Sequence, residues 1–192
     1  MLFRYGQWLA YTCKKSAGRE YAISTNSDIY LYSVAKDMTT NLTEGMNGYD
    51  VNPSFNQKNE LAWMSMIRDG YEADKQDIVV WNGYTKLNLT SQDDNIHVEG
   101  YKWSEDGRSL FFWAPIDGTL QLFNVTYPGL SRMMPVIRQI TKGDFDINAI
   151  IGQVGNTLIV SRTDMNHAAE IFSVDVNTGE MKQLTHVNDE AY

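Results

Sequence analysis

The sequence contains very little cysteine. Cys13 is the only one among 192 residues, so an intrachain disulfide is impossible and no cysteine pair has the spacing of a structural zinc site. His97 and Glu99 lie two residues apart, but a metal site needs further ligands that the sequence does not indicate. We therefore predict no metal ion and no cofactor, and we interpret this pair as exposed polar residues at the entrance of a strand.

Positive charge and long apolar runs are also scarce. Lysine and arginine number 16 against 24 acidic residues, a formal net charge of -8, so the chain offers no basic face for nucleic acid. No apolar run is long enough for a transmembrane helix or a signal peptide. We expect no membrane span, and either a cytoplasmic protein or one whose leader has been removed. The repeats described next favour removal.

Helical periodicity is missing over any stretch of ten residues, and a fourfold repeat takes its place. One strand of each repeat begins with an acidic residue or a threonine, at Asp28, Asp77, Thr119 and Glu170. Each repeat then ends in Leu-Thr or Ile-Thr, at Thr43, Thr90, Thr141 and Thr185. These threonines recur at intervals of about 40–50 residues, which is the period of a β-propeller blade.

Each repeat divides into short strands separated by turns, which predicts antiparallel sheets of four strands. We predict an all-β fold, a partial β-propeller of about four blades at residues 1–45, 46–92, 93–143 and 144–188. Gly6 aligns with Gly107, so the first blade starts at its second strand and is incomplete. We expect the chain to be a fragment of a larger ring, and apolar blade faces left open at its ends predict self-association.

The third repeat carries a recognisable motif. Trp103-Ser-Glu-Asp-Gly107 precedes the strands Leu110–Trp113 and Leu120–Val125, and it resembles the propeller repeat with a Trp-Ser-Pro-Asp-Gly signature. That repeat occurs in the periplasmic propeller of the Tol system and in serine peptidases of the prolyl oligopeptidase family. The stretch Met66–Lys75 is similar to the propellers of bacterial dipeptidyl peptidases and acylaminoacyl peptidases in that family.

The resemblance implies a role in proteolysis. In that family a propeller of seven or eight blades covers an α/β-hydrolase domain that carries a Ser-Asp-His triad. This chain would be the C-terminal half of such a propeller, with the hydrolase domain of the same parent chain as partner and peptides as substrate. The narrow central route would gate access, because folded proteins cannot pass through it. The parent protein would be bacterial and either periplasmic or secreted, with a cytoplasmic location as the alternative.

A nucleophile for that chemistry is not recognisable in the chain. Such a hydrolase needs Gly-x-Ser-x-Gly at a strained turn from strand to helix. The nearest match, Gly129-Leu-Ser131-Arg-Met133, lacks the second glycine, and His97, His167 and His186 fall in predicted loops. We therefore predict that this fragment is not an enzyme, while its parent is a serine-type peptidase. The paired glutamates of dipeptidyl peptidase IV are not recognisable either, so the exopeptidase mode stays open.

The candidate site is a charged loop after the second strand of the second repeat. Its charged residues are Arg68, Asp69, Glu72, Asp74 and Lys75. These residues could line the face that meets the hydrolase domain, or the route by which peptides enter. The alternative is a solvated loop whose shape is maintained by pairs of Arg or Lys with a carboxylate.

Two other functions stay open. A stand-alone propeller of the Tol type would bind a protein partner, whereas a sugar-binding or lyase propeller would need a metal or an acid–base cluster that the sequence does not indicate. A row of tryptophans can indicate sugar binding, but here they recur on the blade strands and are predicted to pack between sheets. They are Trp8, Trp63, Trp81, Trp103 and Trp113.

Overall fold

The computed structural model describes residues 7–188, which form strands and loops almost throughout. The chain divides into two compact units, Met1–Asn95 and Ile96–Tyr192. Within the described residues the only helix is α1 (Arg19–Ile23), which has a single turn and was not expected from the sequence. The predicted all-β class, a partial β-propeller built of antiparallel sheets, is confirmed.

The first unit contains two antiparallel sheets. One has three strands in the order β1-β2-β3, and the other has four in the order β4-β5-β6-β7. Their bounds are β1 (Trp8–Cys13), β2 (Asp28–Ser33), β3 (Met38–Asn41), β4 (Asp50–Phe55), β5 (Leu61–Ser65), β6 (Asp77–Trp81) and β7 (Lys86–Asn88). The expected position of the innermost strand of the first blade, before residue 6, lies outside the described residues.

The second unit contains two sheets of four strands, each running in chain order. The third blade consists of β8 (Gly100–Trp103), β9 (Ser109–Ile116), β10 (Thr119–Thr126) and β11 (Ile137–Gln139). The fourth consists of β12 (Asp146–Val154), β13 (Thr157–Thr163), β14 (Glu170–Asp175) and β15 (Met181–Gln183). Strands β9 and β12 are longer than the sequence patterns predicted, and β12 shifts register twice against β13.

The recurring threonine joins the end of each blade to its third strand. In the second blade the hydroxyl of Thr90 donates to Asp77 Oδ1 over 2.6 Å and accepts the backbone N–H of Ile78 at 3.1 Å. In the first blade Thr43 makes the equivalent bonds with Asp28 and with the N–H of Ile29. The carboxylate and the backbone N–H at the strand entrance would lower the stability of the blade if they were buried without hydrogen-bond partners. The threonine hydroxyl supplies a partner to each of them. The period of the sequence is therefore the period of a hydrogen-bonded closure.

The fourth blade uses a glutamate, and the third uses an amide. Thr185 donates to Glu170 and accepts the N–H of Ile171. Thr141 donates to Gln121 Oε1 over 2.9 Å. The strand was predicted to begin at Thr119, and β10 does begin there, but the acceptor of the closure is Gln121. Thr119 and Gln121 lie two residues apart on one strand and share a face, so alternation alone does not distinguish them.

The turn between the first two strands of a blade needs a residue with positive φ. Gly107 has φ 64° in the third blade, and Asn59 has the same φ of 64° in the second. Asparagine tolerates this left-handed conformation better than other residues with a side chain. Residues 56–59 read Asn-Gln-Lys-Asn in place of Ser-Pro-Asp-Gly, and this difference therefore leaves the turn geometry intact.

Each unit has its own core between its two sheets. In the first unit the core contains Ala10, Ile29, Leu31, Leu61, Trp63 and Val79, with Trp8 and Trp81 packed against it. In the second unit it contains Phe111, Leu122, Ile140, Ile147, Ile150, Leu158, Val160, Val174 and Val176, with Trp113 at its edge. Trp103 is buried and meets Tyr127 edge to face. The prediction that the tryptophans pack between sheets is confirmed for Trp8, Trp63, Trp81 and Trp113.

Candidate functional site

The predicted charged loop is the connection between β5 and β6, at residues 66–76. Arg68 donates from Nε and Nη2 to Asp74 Oδ1, over 3.0 and 2.7 Å. The other carboxylate oxygen of Asp74 accepts the backbone N–H groups of Ile67 and Arg68. The hydrogen bonds from the Arg68 side chain, more than any other contact, lower the pKa of Asp74 to about 2. Asp74 is therefore a buried carboxylate that is ionised at neutral pH and fixes the conformation of the loop through its hydrogen bonds.

Asp69 ties this loop to the neighbouring blade of the same unit. Its Oδ1 accepts the N–H of Thr25 at 2.7 Å and the hydroxyl of Ser24 at 2.8 Å, both in the connection between β1 and β2. In return, the N–H of Gly70 donates to the hydroxyl of Thr25 over 2.8 Å. These bonds lower the pKa of Asp69, the hydroxyl of Ser24 contributing most. The two connections are thereby joined into one surface.

Lys75 and Glu72 have opposite fates. Lys75 Nζ lies 2.8 Å from Asp77 Oδ1 and donates to the carbonyl oxygen of Thr90, so it reinforces the closure of the second blade. Glu72 is exposed, and no side-chain contact joins it to any residue between 7 and 188. Four of the five predicted residues therefore maintain local structure, and Glu72 is the one whose charge is left to the solvent. A role of this loop as gate or interface stays a prediction.

Exposed aromatic and aliphatic side chains lie on the same two connections as these charges. Ile67 is 72% exposed and Tyr71 is 48% exposed on the β5–β6 connection, while Tyr21 and Ile23 are exposed on the connection that Asp69 binds. The guanidinium of Arg68 lies 4.0 Å from the centre of the Tyr71 ring. Tyrosine and arginine are the residues that contribute most to protein interfaces. We call these four apolar side chains with Arg68 the clasp patch.

The sequence analysis missed a second cluster, in the fourth blade. Arg162, Asp164, His167, Glu170 and Phe172 line a cavity of about 210 Å³. His167 Nδ1 lies 2.7 Å from Asp164 Oδ1. The pKa of Asp164 is lowered, first by the backbone N–H of Asn166 and then by His167. The i, i+3 spacing of Asp164 and His167 was the one signal in the sequence that could have indicated this cluster.

The remaining candidate residues are not assembled into a catalytic or metal site. His97 Nε2 lies 3.9 Å from Glu99 Oε1, and no group of three or more His, Cys, Asp or Glu side chains within residues 7–188 is placed to hold a metal ion. Ser131 lies between the antiparallel strands β10 and β11, which is not the strand-to-helix setting of a nucleophile elbow. In the described part of the chain no helix has the length and apolar character to cross a membrane.

Comparison with known proteins finds relatives among peptidases. No family model matches the chain. Dipeptidyl-peptidase 5 of Porphyromonas endodontalis is 37% identical over 186 residues, and that of Porphyromonas gingivalis is 31% identical over 185 residues. The matches cover 96% and 95% of this chain but only 26% of each relative. The chain thus spans about a quarter of the length of these relatives, and the resemblance to dipeptidyl peptidases is confirmed.

Solved structures support the fold. The β-propeller domain of the Trilobed protease from Pyrococcus furiosus matches 97% of this chain and 54% of its own, with a TM-score of 0.68 and 15% identity. A putative TolB from Agrobacterium tumefaciens matches 94% of this chain and 61% of its own, with a TM-score of 0.67 and 16% identity. At such low identity these two likenesses concern the propeller fold alone.

Proposed function

We propose that this chain is a non-catalytic part of the propeller of a serine peptidase of the dipeptidyl aminopeptidase type. The observation that carries the proposal is the alignment of 95% and 96% of the chain with two dipeptidyl-peptidases 5, of which it spans only 26%. Cleavage would then belong to an α/β-hydrolase domain elsewhere in the parent chain. The propeller would control which molecules reach that domain, because its central route admits peptides and excludes folded proteins.

The clasp patch is the surface we assign to contact with the hydrolase domain or with entering peptides. Asp69 and Asp74 hold its two connections in one conformation, so docking would cost little further conformational entropy. Its exposed side chains combine apolar area with a cation above a tyrosine ring, as energetically dominant interface residues do. Glu72 adds one unpaired negative charge beside it, which would favour a basic or N–H-rich partner surface.

The first experiment compares the chain with its full-length parent. Dipeptidyl and acyl-aminoacyl chromogenic substrates should be cleaved by the parent and left intact by the purified 192-residue chain. Activity of the isolated chain that survives repurification and follows the protein through chromatography would contradict the assignment. A parent without a Gly-x-Ser-x-Gly segment would contradict it equally.

The second experiment tests the clasp patch in the parent enzyme. Tyr71→Ala should change kcat/KM or the preference among peptide lengths, because it removes the ring under Arg68. Tyr84→Ala is the matched control, since Tyr84 is 87% exposed and lies in the β6–β7 turn, at the other end of β6. If both variants keep wild-type kinetics, the loop has only a structural role.

The second candidate function is a stand-alone propeller that binds a protein partner, because the motif Trp103–Gly107 also resembles the repeat of the Tol-system propeller. The reading frame around the chain discriminates the two candidates. An adjoining hydrolase domain supports the peptidase, whereas a stop codon or an unrelated domain supports the partner-binding protein. In both cases we propose a periplasmic or secreted protein, and cell fractionation of the source organism tests that location.

A further inference from the structure

Arg162 in the fourth blade lines a cavity, and its guanidinium donates no hydrogen bond to any residue between 7 and 188. The guanidinium carbon of Arg162 lies 4.3 Å from the ring centre of Phe145 and 4.6 Å from that of Phe172, so two aromatic rings position the cation. Its side chain is only 24% exposed. The cavity of about 210 Å³ that it lines is far larger than one water molecule requires.

The acidic neighbours of Arg162 are engaged elsewhere. Glu170 is its direct cross-strand partner. That carboxylate instead accepts hydrogen bonds from the Thr185 hydroxyl and from the backbone N–H and the side-chain amide of Asn188. Asp164 Oδ2 comes no closer than 3.7 Å to Arg162 Nη2, which is too long for a hydrogen bond. Among residues 7–188, no acceptor takes a hydrogen bond from the guanidinium.

The guanidinium of Arg162 therefore keeps unused donors where it lines the cavity. A ligand with two coplanar oxygens would satisfy these donors, since the guanidinium fork matches a carboxylate. Two carboxylates, Asp164 and Glu170, also line the cavity, and they disfavour a doubly charged anion such as phosphate. A singly charged carboxylate is repelled less by them than a doubly charged anion is.

We propose that this cavity binds the terminal carboxylate of a short peptide, with Arg162 as the donor. The face of Phe172 and the methyl group of Ala168 offer apolar contact for a side chain, and the amide of Gln183 lies in the same wall. The requirement for a carboxylate follows from Arg162 alone. The choice of a peptide to supply it rests on the proposed function. The site lies in the second unit and shares no residue with the clasp patch.

The test uses calorimetric titration of the purified chain with three probes. Ala-Leu should bind saturably at concentrations up to about 10 mM, whereas Ala-Leu amide should bind at least about tenfold more weakly because it lacks the carboxylate. Acetate should compete weakly at the same site. Arg162→Gln should weaken Ala-Leu binding about tenfold or more, and Arg162→Lys should weaken it too, because lysine keeps the charge but not the fork. Arg132→Gln, at an exposed position of the same unit, should leave it unchanged.

Several outcomes would overturn the proposal. These are the absence of saturable Ala-Leu binding, equal binding of the amide, and undiminished binding to a folded Arg162→Gln variant. Binding of acetate without Ala-Leu would refute a peptide ligand. If Arg162→Gln unfolds because the two phenylalanines lose their packing, the amide comparison still decides the question on the unaltered chain. Peptidase activity of the parent is measured separately, so failure here and failure of the proposed function are distinguishable.

Discussion

Asp50 is a buried acid whose ionisation should lower the stability of the first unit. It is fully buried at the start of β4, where Oδ1 accepts the indole N–H of Trp63 at 2.8 Å. Oδ2 is buried without a hydrogen-bond partner among residues 7–188. Burial raises the pKa of Asp50 from 3.8 to about 6, against the opposing effect of neighbouring hydroxyls and the indole N–H. The folded protein therefore holds this proton more tightly than the unfolded chain does.

The sign of the pH dependence follows from that difference. The stabilisation by the protonated acid is complete below about pH 4 and is lost as the pH rises through about 6. A difference of about two pKa units corresponds to roughly 3 kcal/mol of unfolding free energy. Asp50→Asn keeps the shape and cannot ionise, so we expect it to stabilise the chain at pH 8 by up to about 3 kcal/mol relative to wild type. At pH 4 the two proteins should differ far less.

Urea denaturation at pH 4, 6 and 8, followed by circular dichroism, measures this free energy for both proteins. Asp94→Asn is the control, because Asp94 is exposed in the same unit and should show no such trend. A variant that destabilises the chain equally at all three pH values would refute the reasoning. It would mean that the pKa of Asp50 does not differ between the folded and the unfolded chain.

Three further substitutions test the threonine closure, the hydrogen bonds of Asp69 to the first blade, and the close approach of the backbones at Gly48 and Met66. Thr90→Val should cost about 1–3 kcal/mol in urea denaturation, because it removes one hydrogen bond of Asp77 and leaves the buried N–H of Ile78 unpaired, and Thr90→Ser should recover most of that loss. Asp69→Ala should accelerate amide hydrogen exchange at residues 24–26 without altering exchange in the second unit. Unchanged exchange at these residues would show that the hydrogen bonds to Asp69 are not formed. Gly48→Ala should cost about 1–3 kcal/mol, because the new methyl group would overlap a backbone carbonyl, and wild-type stability would show that this approach is not as close as described.

The blades were predictable because their closure is local in sequence. Thr90 and Asp77 lie 13 residues apart, and in every repeat a threonine hydroxyl donates to an acidic or amide side chain of the same repeat. The contacts of the charged loop were not predictable in the same way. Asp69 binds residues 44 positions earlier, and no periodicity connects the two connections. The sequence showed the charge of the loop, but only the fold shows that Asp69 binds the neighbouring blade and so joins the two blades.

The cavity of the fourth blade was hidden for a related reason. Phe145 precedes β12, Arg162 lies near the end of β13 and Phe172 lies in β14, so the two ring contacts of Arg162 form only when three segments come together. Each of these residues alone is typical of a blade strand. The sequence also cannot reveal that Arg162 and Glu170 face each other without pairing, since opposite charges on neighbouring strands normally suggest an ion pair.

The candidate functional residues share a structural position across the blades. The connection between the second and third strands is a two-residue turn, Asp117-Gly118, in the third blade, but it spans residues 66–76 in the second and 164–169 in the fourth. The threonine closure lies in the strands and their ends, so it tolerates any length of this connection. Blade stability and loop chemistry are thereby separated, which is the condition under which loops on a rigid scaffold carry function. The clasp patch and the Arg162 cavity are two outcomes of that separation, one on each unit.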